Sequence, residues 1–342
     1  MVSPDEKQDE KPFLPPPASA SASAYAKAQK QHSALVILGV VAFYWAASLA
    51  LVFLNKYILS TSEYKFPYPL FVTWFQLAIA LLILLVWGGL GTRFKAFSLI
   101  PPHELDLTIA RKVMPLSFIY VLMLAFNNLC LQYVEVTFYQ VARSLTIVFN
   151  IIFTYTLLGA KTSVSALCAC AIVFAGFVIG SYGELNFTWE GVIYGVASSA
   201  FVALYGIYVK KTLVVVGNNQ WRLLHYNTTL SIAFLFPLVV LAGELQDMFA
   251  NVYFFDEPLF WALMVLTGIT GFVINIAIFL QIKYTTPLTN NISGTAKSCV
   301  QTALAAWYFA NPISVLNGIG IILALFGSGM YSWVRYKEMV KK

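Results

Sequence analysis

The chain has 342 residues, of which 59% are hydrophobic and only 11% charged, with a mean hydropathy of +0.75 and a formal net charge of +6. A soluble domain carries about 25% charged residues, so a soluble globular fold is excluded and an integral membrane protein is indicated. The apolar runs are about 20 residues long, the length that crosses about 30 Å of hydrocarbon as a helix, and the short alternating segments of a β-barrel are missing.

Ten such runs lie at 34–54, 69–90, 114–133, 136–158, 163–181, 190–209, 226–243, 259–282, 289–309 and 313–334. The expected fold is therefore an all-α polytopic membrane protein with ten transmembrane helices. Residues 1–33, rich in Pro, Ala, Ser and charge, read as a disordered cytosolic tail, and residues 336–342 as a basic cytosolic tail. The first run is too long for a cleaved signal peptide and reads as a signal anchor.

Orientation follows from the basic residues. With both termini in the cytosol, that side receives 17 of the 21 Lys and Arg, and the opposite side only Lys56 and Lys65 together with most loop carboxylates. This is the positive-inside pattern. The basic excess is thus topological: the lipid bilayer is an expected partner and nucleic acid is not. Two cations remain, Arg143 and Lys297, and both fall inside spans.

Along the chain, the first span carries Tyr44 near its middle and closes on Asn55 and Lys56, a lysine expected to snorkel to the interface. The second has Thr73 and Gln76 a turn apart, either facing a cavity or bonding a neighbouring helix. His103, in the following loop, reads as solvated. Spans three and four form a hairpin that is polar where lipid forbids it, with Asn127, Asn128, Gln132, Tyr139, Gln140, Arg143, Ser144 and Asn150. Tyr139 and Arg143 share a helix face.

Gly176 and Gly180, like Gly191 and Gly195, have the spacing of close helix packing. Asn186 begins a glycosylation sequon on the non-cytosolic side. Span seven opens with His225-Tyr226-Asn227-Thr228, span eight holds Asn275, and span nine contains Ser293-Gly294-Thr295-Ala296-Lys297. Cys130, Cys168, Cys170 and Cys299 all lie in apolar spans and read as packing residues, neither metal ligands nor disulfide partners.

Spans three and four resemble spans eight and nine. Each pair has a polar turn, LQYVEVT against LQIKYTTPLT, followed by a basic residue in Ala-Arg143-Ser or Ala-Lys297-Ser. Two five-helix repeats, 34–181 and 182–335, must insert with opposite orientation, as in inverted-repeat transporters. Arg143 lies about 10 Å into its span from the lumenal side and Lys297 about 12 Å into its span from the cytosolic side. No acidic residue lies within a span to neutralise them. The missing counter-ion is an anionic substrate carrying about two negative charges; satisfaction of each cation by helix carbonyls is the alternative.

No Walker A sequence, metal cluster or intramembrane carboxylate pair is present. The chain is therefore expected to be no enzyme, to use no cofactor or metal, and to transport down a gradient or by exchange.

The strings FLNKYIL, YNTT, NNLCLQYVEVTFYQVARSLTIVFN and NISGTAKSCVQT resemble the nucleotide-sugar and triose-phosphate transporter families of the drug/metabolite transporter superfamily, and within them the Golgi GDP-fucose transporters. The resemblance covers nearly the whole chain after about residue 34. It implies a multi-pass Golgi membrane protein that exchanges GDP-fucose for GMP across a central cavity by alternating access. A homodimer is compatible with it. It also implies Tyr226 and Asn227 at the nucleobase, Arg143 and Lys297 at the phosphates, and Tyr44, Tyr139, Asn275, Ser293, Gly294 and Thr295 along the sugar or cavity wall. At the base motif only Tyr226 and Asn227 match the family pattern, and in span nine only Lys297 matches directly. Another GDP-sugar or a sugar phosphate is the alternative substrate, and a non-transporting scaffold the alternative class.

Overall fold

The computed structural model describes residues 34–61, 64–94, 100–102, 106–159, 162–183, 188–284, 287–308 and 314–340. The 1–33 tail, His103, Asn186 and the side chain of Thr295 lie outside the described residues. Among the described residues twelve α-helices follow in order: α1 Ala34–Lys56, α2 Pro69–Arg93, α3 Leu107–Tyr133, α4 Val136–Ser144, α5 Thr146–Leu158, α6 Val164–Tyr182, α7 Trp189–Val215, α8 Gln220–Leu241, α9 Glu244–Asn251, α10 Pro258–Tyr284, α11 Pro287–Tyr308 and α12 Val315–Val340. A π-helical turn, Tyr57–Thr61, continues α1.

Among the described residues, nine helical segments are long and apolar enough to cross a membrane, with α4 and α5 together making one of them. The run expected as the ninth span forms one continuous helix, α11, of 22 residues, whose Asn290, Asn291, Ser293, Lys297, Ser298, Gln301 and Thr302 make it too polar to be one of the nine. Leu82 and Val86 on α2 and Ile322 and Phe326 on α12 are exposed, as helices surrounded by hydrocarbon require, because the helix satisfies its own backbone groups.

Local chemistry sets the helix ends. Asp106 accepts from the Thr108 amide at 2.7 Å and caps α3; Asn219 accepts from the Trp221 and Arg222 amides and caps α8. Each satisfies donors that the first helical turn leaves without partners. The accepted bond holds the exposed Asp106 carboxyl below the usual carboxylate range. The fourth span is broken at Leu145, one residue after Ser144 turns its hydroxyl back onto the Val141 carbonyl at 2.6 Å. Arg143 therefore occupies the last turn of α4, where the negative end of the helix dipole favours a cation.

The glycine pairs pack as expected. A Cβ on Gly176 of α6 would lie 2.6 Å from the Ala324 nitrogen of α12, and one on Gly195 of α7 would lie 2.9 Å from the Ala142 Cβ of α4. Elsewhere α3 packs along α7 and α8, and α10 along α1 and α2.

One end of the bundle is tied shut. Phe66, Tyr68, Phe71, Phe254 and Phe260 share a buried aromatic cluster. Around it Glu244 accepts from the Leu70 and Phe71 amides at 3.2 and 2.8 Å, Asp247 from the Tyr68 hydroxyl at 2.7 Å, and Glu257 from the Tyr64 hydroxyl at 2.7 Å. Burial, with Asp247 beside it, pushes the Tyr68 hydroxyl up to about 12, and burial raises Glu244 above its ordinary value. Lys56 departs from the snorkelling expectation. It is 6% exposed and donates to the Leu131 and Val134 carbonyls at 3.2 and 2.8 Å, so it caps the C-terminus of α3 instead of reaching for water.

Candidate functional site

A cavity of about 760 Å³ lies in the bundle interior, lined by Asn55, Thr73 and Leu131 and, further along the chain, by Leu213, Trp221 and Ser332. It lies within the 300–1,000 Å³ range of small-molecule sites. Arg143, Lys297, Tyr44, Tyr139, Asn227, Asn275 and Gly294 all line it, although they come from α1, α4, α8, α10 and α11.

The two cations are held by neutral oxygens and aromatic rings. Arg143 Nη1 donates to Asn127 Oδ1 and to the Tyr139 hydroxyl, each at 3.3 Å, and its guanidinium lies 5.8 Å from the Tyr139 ring centroid. Lys297 Nζ donates to Ser48 Oγ at 2.7 Å and lies 5.7 Å from the Tyr44 ring centroid. Among the described residues the one ion pair is Arg335–Glu338, far along α12. Among the described residues the cations face the cavity without a carboxylate, and their side-chain hydrogen bonds go to Asn127, Tyr139 and Ser48. Such a pair attracts an anion, and the low dielectric strengthens that attraction.

The remaining polar residues give the wall its directional chemistry. Ser117 donates to Asn227 Oδ1 at 3.0 Å, which leaves the Asn227 amide NH₂ as a donor. Asn275 spends its NH₂ on the Gly271 carbonyl at 2.8 Å, which leaves Oδ1 as an acceptor. Gln76 donates to Asn55 at 2.7 Å, Asn55 to Asn128 at 3.2 Å and Asn128 to Thr73 at 2.5 Å. Thr73 and Gln76 thus do both things the sequence left open, lining the cavity and joining helices. Gln140 donates to Ser298 at 2.6 Å and ties α4 to α11.

Two expected residues lie elsewhere. Tyr226 is 1% exposed in an apolar cluster with Val113, Leu116 and Leu223, and its hydroxyl accepts from the Asp106 amide at 2.8 Å. It does not line the cavity, which corrects the expected stacking face; one residue along a helix is a turn of about 100°, and Asn227 takes the cavity side. Ser293 is 5% exposed and accepts from Trp45 at 2.8 Å and Gln281 at 3.3 Å. It joins α11 to α1 and α10, a contact between helices in place of a place on the wall. Ser48 and Ser117 were not singled out from sequence. Asn127 stood in a run of polar residues that marked the hairpin as wet without saying which of them serves a cation.

Membrane-length helices around a cavity with two uncompensated cations define the class of a multi-pass membrane transporter. The model of the Triose-phosphate Transporter family matches residues 35–332, and the chain belongs to that family. It is 49% identical over 310 residues to GDP-fucose transporter 1 of Dictyostelium discoideum, covering 89% of this chain and 82% of that one. It is 42% identical over 313 residues to GDP-fucose transporter 1 of Mus musculus, covering 90% and 85%. With the GDP-fucose transporter, Golgi, of Drosophila melanogaster the identity is 38% over 323 residues, covering 92% and 95%. A solved crystal structure with 13% identity superposes with a TM-score of 0.53 over 89% of this chain and 97% of the other; that likeness concerns the fold alone.

Proposed function

We propose that this chain is a Golgi nucleotide-sugar antiporter that carries GDP-fucose from cytosol to lumen in exchange for GMP by alternating access. The observation that carries the reading is the meeting of Arg143 and Lys297 on one cavity without a carboxylate. The names of the relatives supply the sugar nucleotide and the Golgi membrane.

In this reading the two cations hold the phosphates, with Arg143 offering a planar fork and Lys297 a point charge. The Asn227 NH₂ donates to the carbonyl edge of guanine, and Asn275 Oδ1 accepts from a sugar hydroxyl beside Gly294. Ten spans, arranged as inverted repeats 34–181 and 182–335 with both termini cytosolic, put the tied end at the lumen and open the cavity to the cytosol. Exchange follows because an empty cavity leaves two bare cations in low dielectric, which slows reorientation without a nucleotide.

Proteoliposomes provide the test. Vesicles preloaded with GMP take up labelled GDP-fucose, and unloaded vesicles do so at least tenfold more slowly. Equal rates would remove obligatory exchange, and equal uptake of GDP-mannose would remove the fucose assignment.

A further inference from the structure

Arg143 is held by a residue whose other half is unused. Three hydroxyl or guanidinium groups converge on Asn127 Oδ1: Arg143 Nη1 at 3.3 Å, the Tyr139 hydroxyl at 3.4 Å and the Ser198 hydroxyl. A guanidinium has only donors, so the atom facing it must be the amide oxygen, and the orientation of the Asn127 amide is set by chemistry. Its Nδ2 then points away from Arg143. Nδ2 has no hydrogen bond among the described residues and is not among the buried atoms left without one, while Asn127 itself lines the cavity. Arg143 in turn spends only Nη1 on these contacts, so Nε and Nη2 remain for a ligand.

We propose that Asn127 is a third element of the anion site: its amide NH₂ donates to a phosphoryl oxygen of the nucleotide while its carbonyl fixes the Arg143 guanidinium beside it. The proposal rests on the reading of the cavity as a nucleotide phosphate site. Asn127 then acts both as a ligand and as a positioning residue, and Ser198 on α7 holds it in place. The chemistry recognised is a phosphoryl group bearing at least one unprotonated oxygen, whichever nucleoside carries it.

Asn127→Asp separates this role from a structural one. The carboxylate keeps an oxygen for Arg143, Tyr139 and Ser198 and adds an ion pair to Arg143, so the fold is retained. It also replaces the one free donor with an acceptor and puts a negative charge where phosphate binds. GMP binding to the purified full-length protein is measured by titration, with guanosine as the uncharged control and Arg143→Ala in parallel.

The expected result for Asn127→Asp is an unchanged melting temperature, GMP affinity weakened by about 100-fold and guanosine affinity within about twofold of the unsubstituted protein. Asn127→Ala, which carries no charge, weakens GMP by about tenfold, and it decides the matter if the Asp variant does not purify as a single species. GMP affinity within twofold of the unsubstituted protein in the deciding variant, alongside a loss in Arg143→Ala, overturns the assignment of Asn127 alone. Full GMP affinity in Arg143→Ala overturns the phosphate reading beneath it.

Discussion

Arg143 and Lys297 face one cavity with the same charge, yet they are held in different ways. Arg143 sits in the last turn of α4, bonded to Tyr139 of its own helix and Asn127 of the preceding one. Lys297 lies mid-way along α11 and reaches back across 249 residues to Ser48 of α1, with the Tyr44 ring beside it. The direct partners of the first cation lie in the N-terminal half of the chain, with Ser198 of the second half bonded to Asn127 behind them. The second bridges the two halves. On the proposed alternating-access reading the halves move against each other, and the Lys297 partner changes while the direct Arg143 partners persist. On that reading Arg143 is the fixed side of the proposed anion site and Lys297 the side that senses closure.

The largest expected effect comes from removing either charge. Arg143→Ala and Lys297→Ala each reduce exchange by about 100-fold or more, equivalent to ~3 kcal/mol, while size-exclusion profiles stay those of a folded protein. Retained exchange in one variant would show that the other cation serves alone. Arg143→Lys sharpens the contrast: the charge stays, but a single ammonium cannot hold Asn127 and Tyr139 and still present a fork, and GDP affinity falls about tenfold.

Asn227→Ala probes the wall away from the cations. It weakens GMP about fivefold and leaves inhibition by inorganic pyrophosphate unchanged; a parallel loss for pyrophosphate would move Asn227 into the anion site. Ser48→Ala has the smallest effect, a two- to threefold slower exchange at unchanged GMP affinity, about the worth of one ordinary hydrogen bond or less. A change in affinity without a change in rate would place Ser48 in ligand binding and not in the movement.

The membrane class, the two cavity-lining cations and the close-packed glycines were legible because each breaks or follows a pattern at the level of a whole span. A lysine among small residues in 289–309 is costly wherever the helix turns, so Lys297 stood out without any knowledge of its neighbours. What failed was helix phase and partner. Tyr226 and Asn227 are adjacent, and nothing local decides which faces the cavity; the answer lies in Asp106, whose amide donates to the Tyr226 hydroxyl. Lys56 ends its helix as a snorkelling lysine would, and only the C-terminus of α3 beside it turns it into a buried cap. Ser293 looked like room for a sugar and is instead a bond to Trp45. Ser48 and Ser117 carry no signal, since a serine in a span is ordinary until its partner is seen.

The central claim is that Arg143 and Lys297 jointly hold the phosphate of a nucleotide, and ligand-dependent thermal stabilisation of the purified protein tests it most directly. GMP at about 100 times its dissociation constant stabilises the unsubstituted protein by about 2.7 kcal/mol, and guanosine at the same concentration does far less. The account predicts that the Arg143→Ala/Lys297→Ala double variant loses this difference, so that GMP and guanosine shift its melting temperature equally. A double variant that GMP still stabilises as strongly as the unsubstituted protein would contradict it.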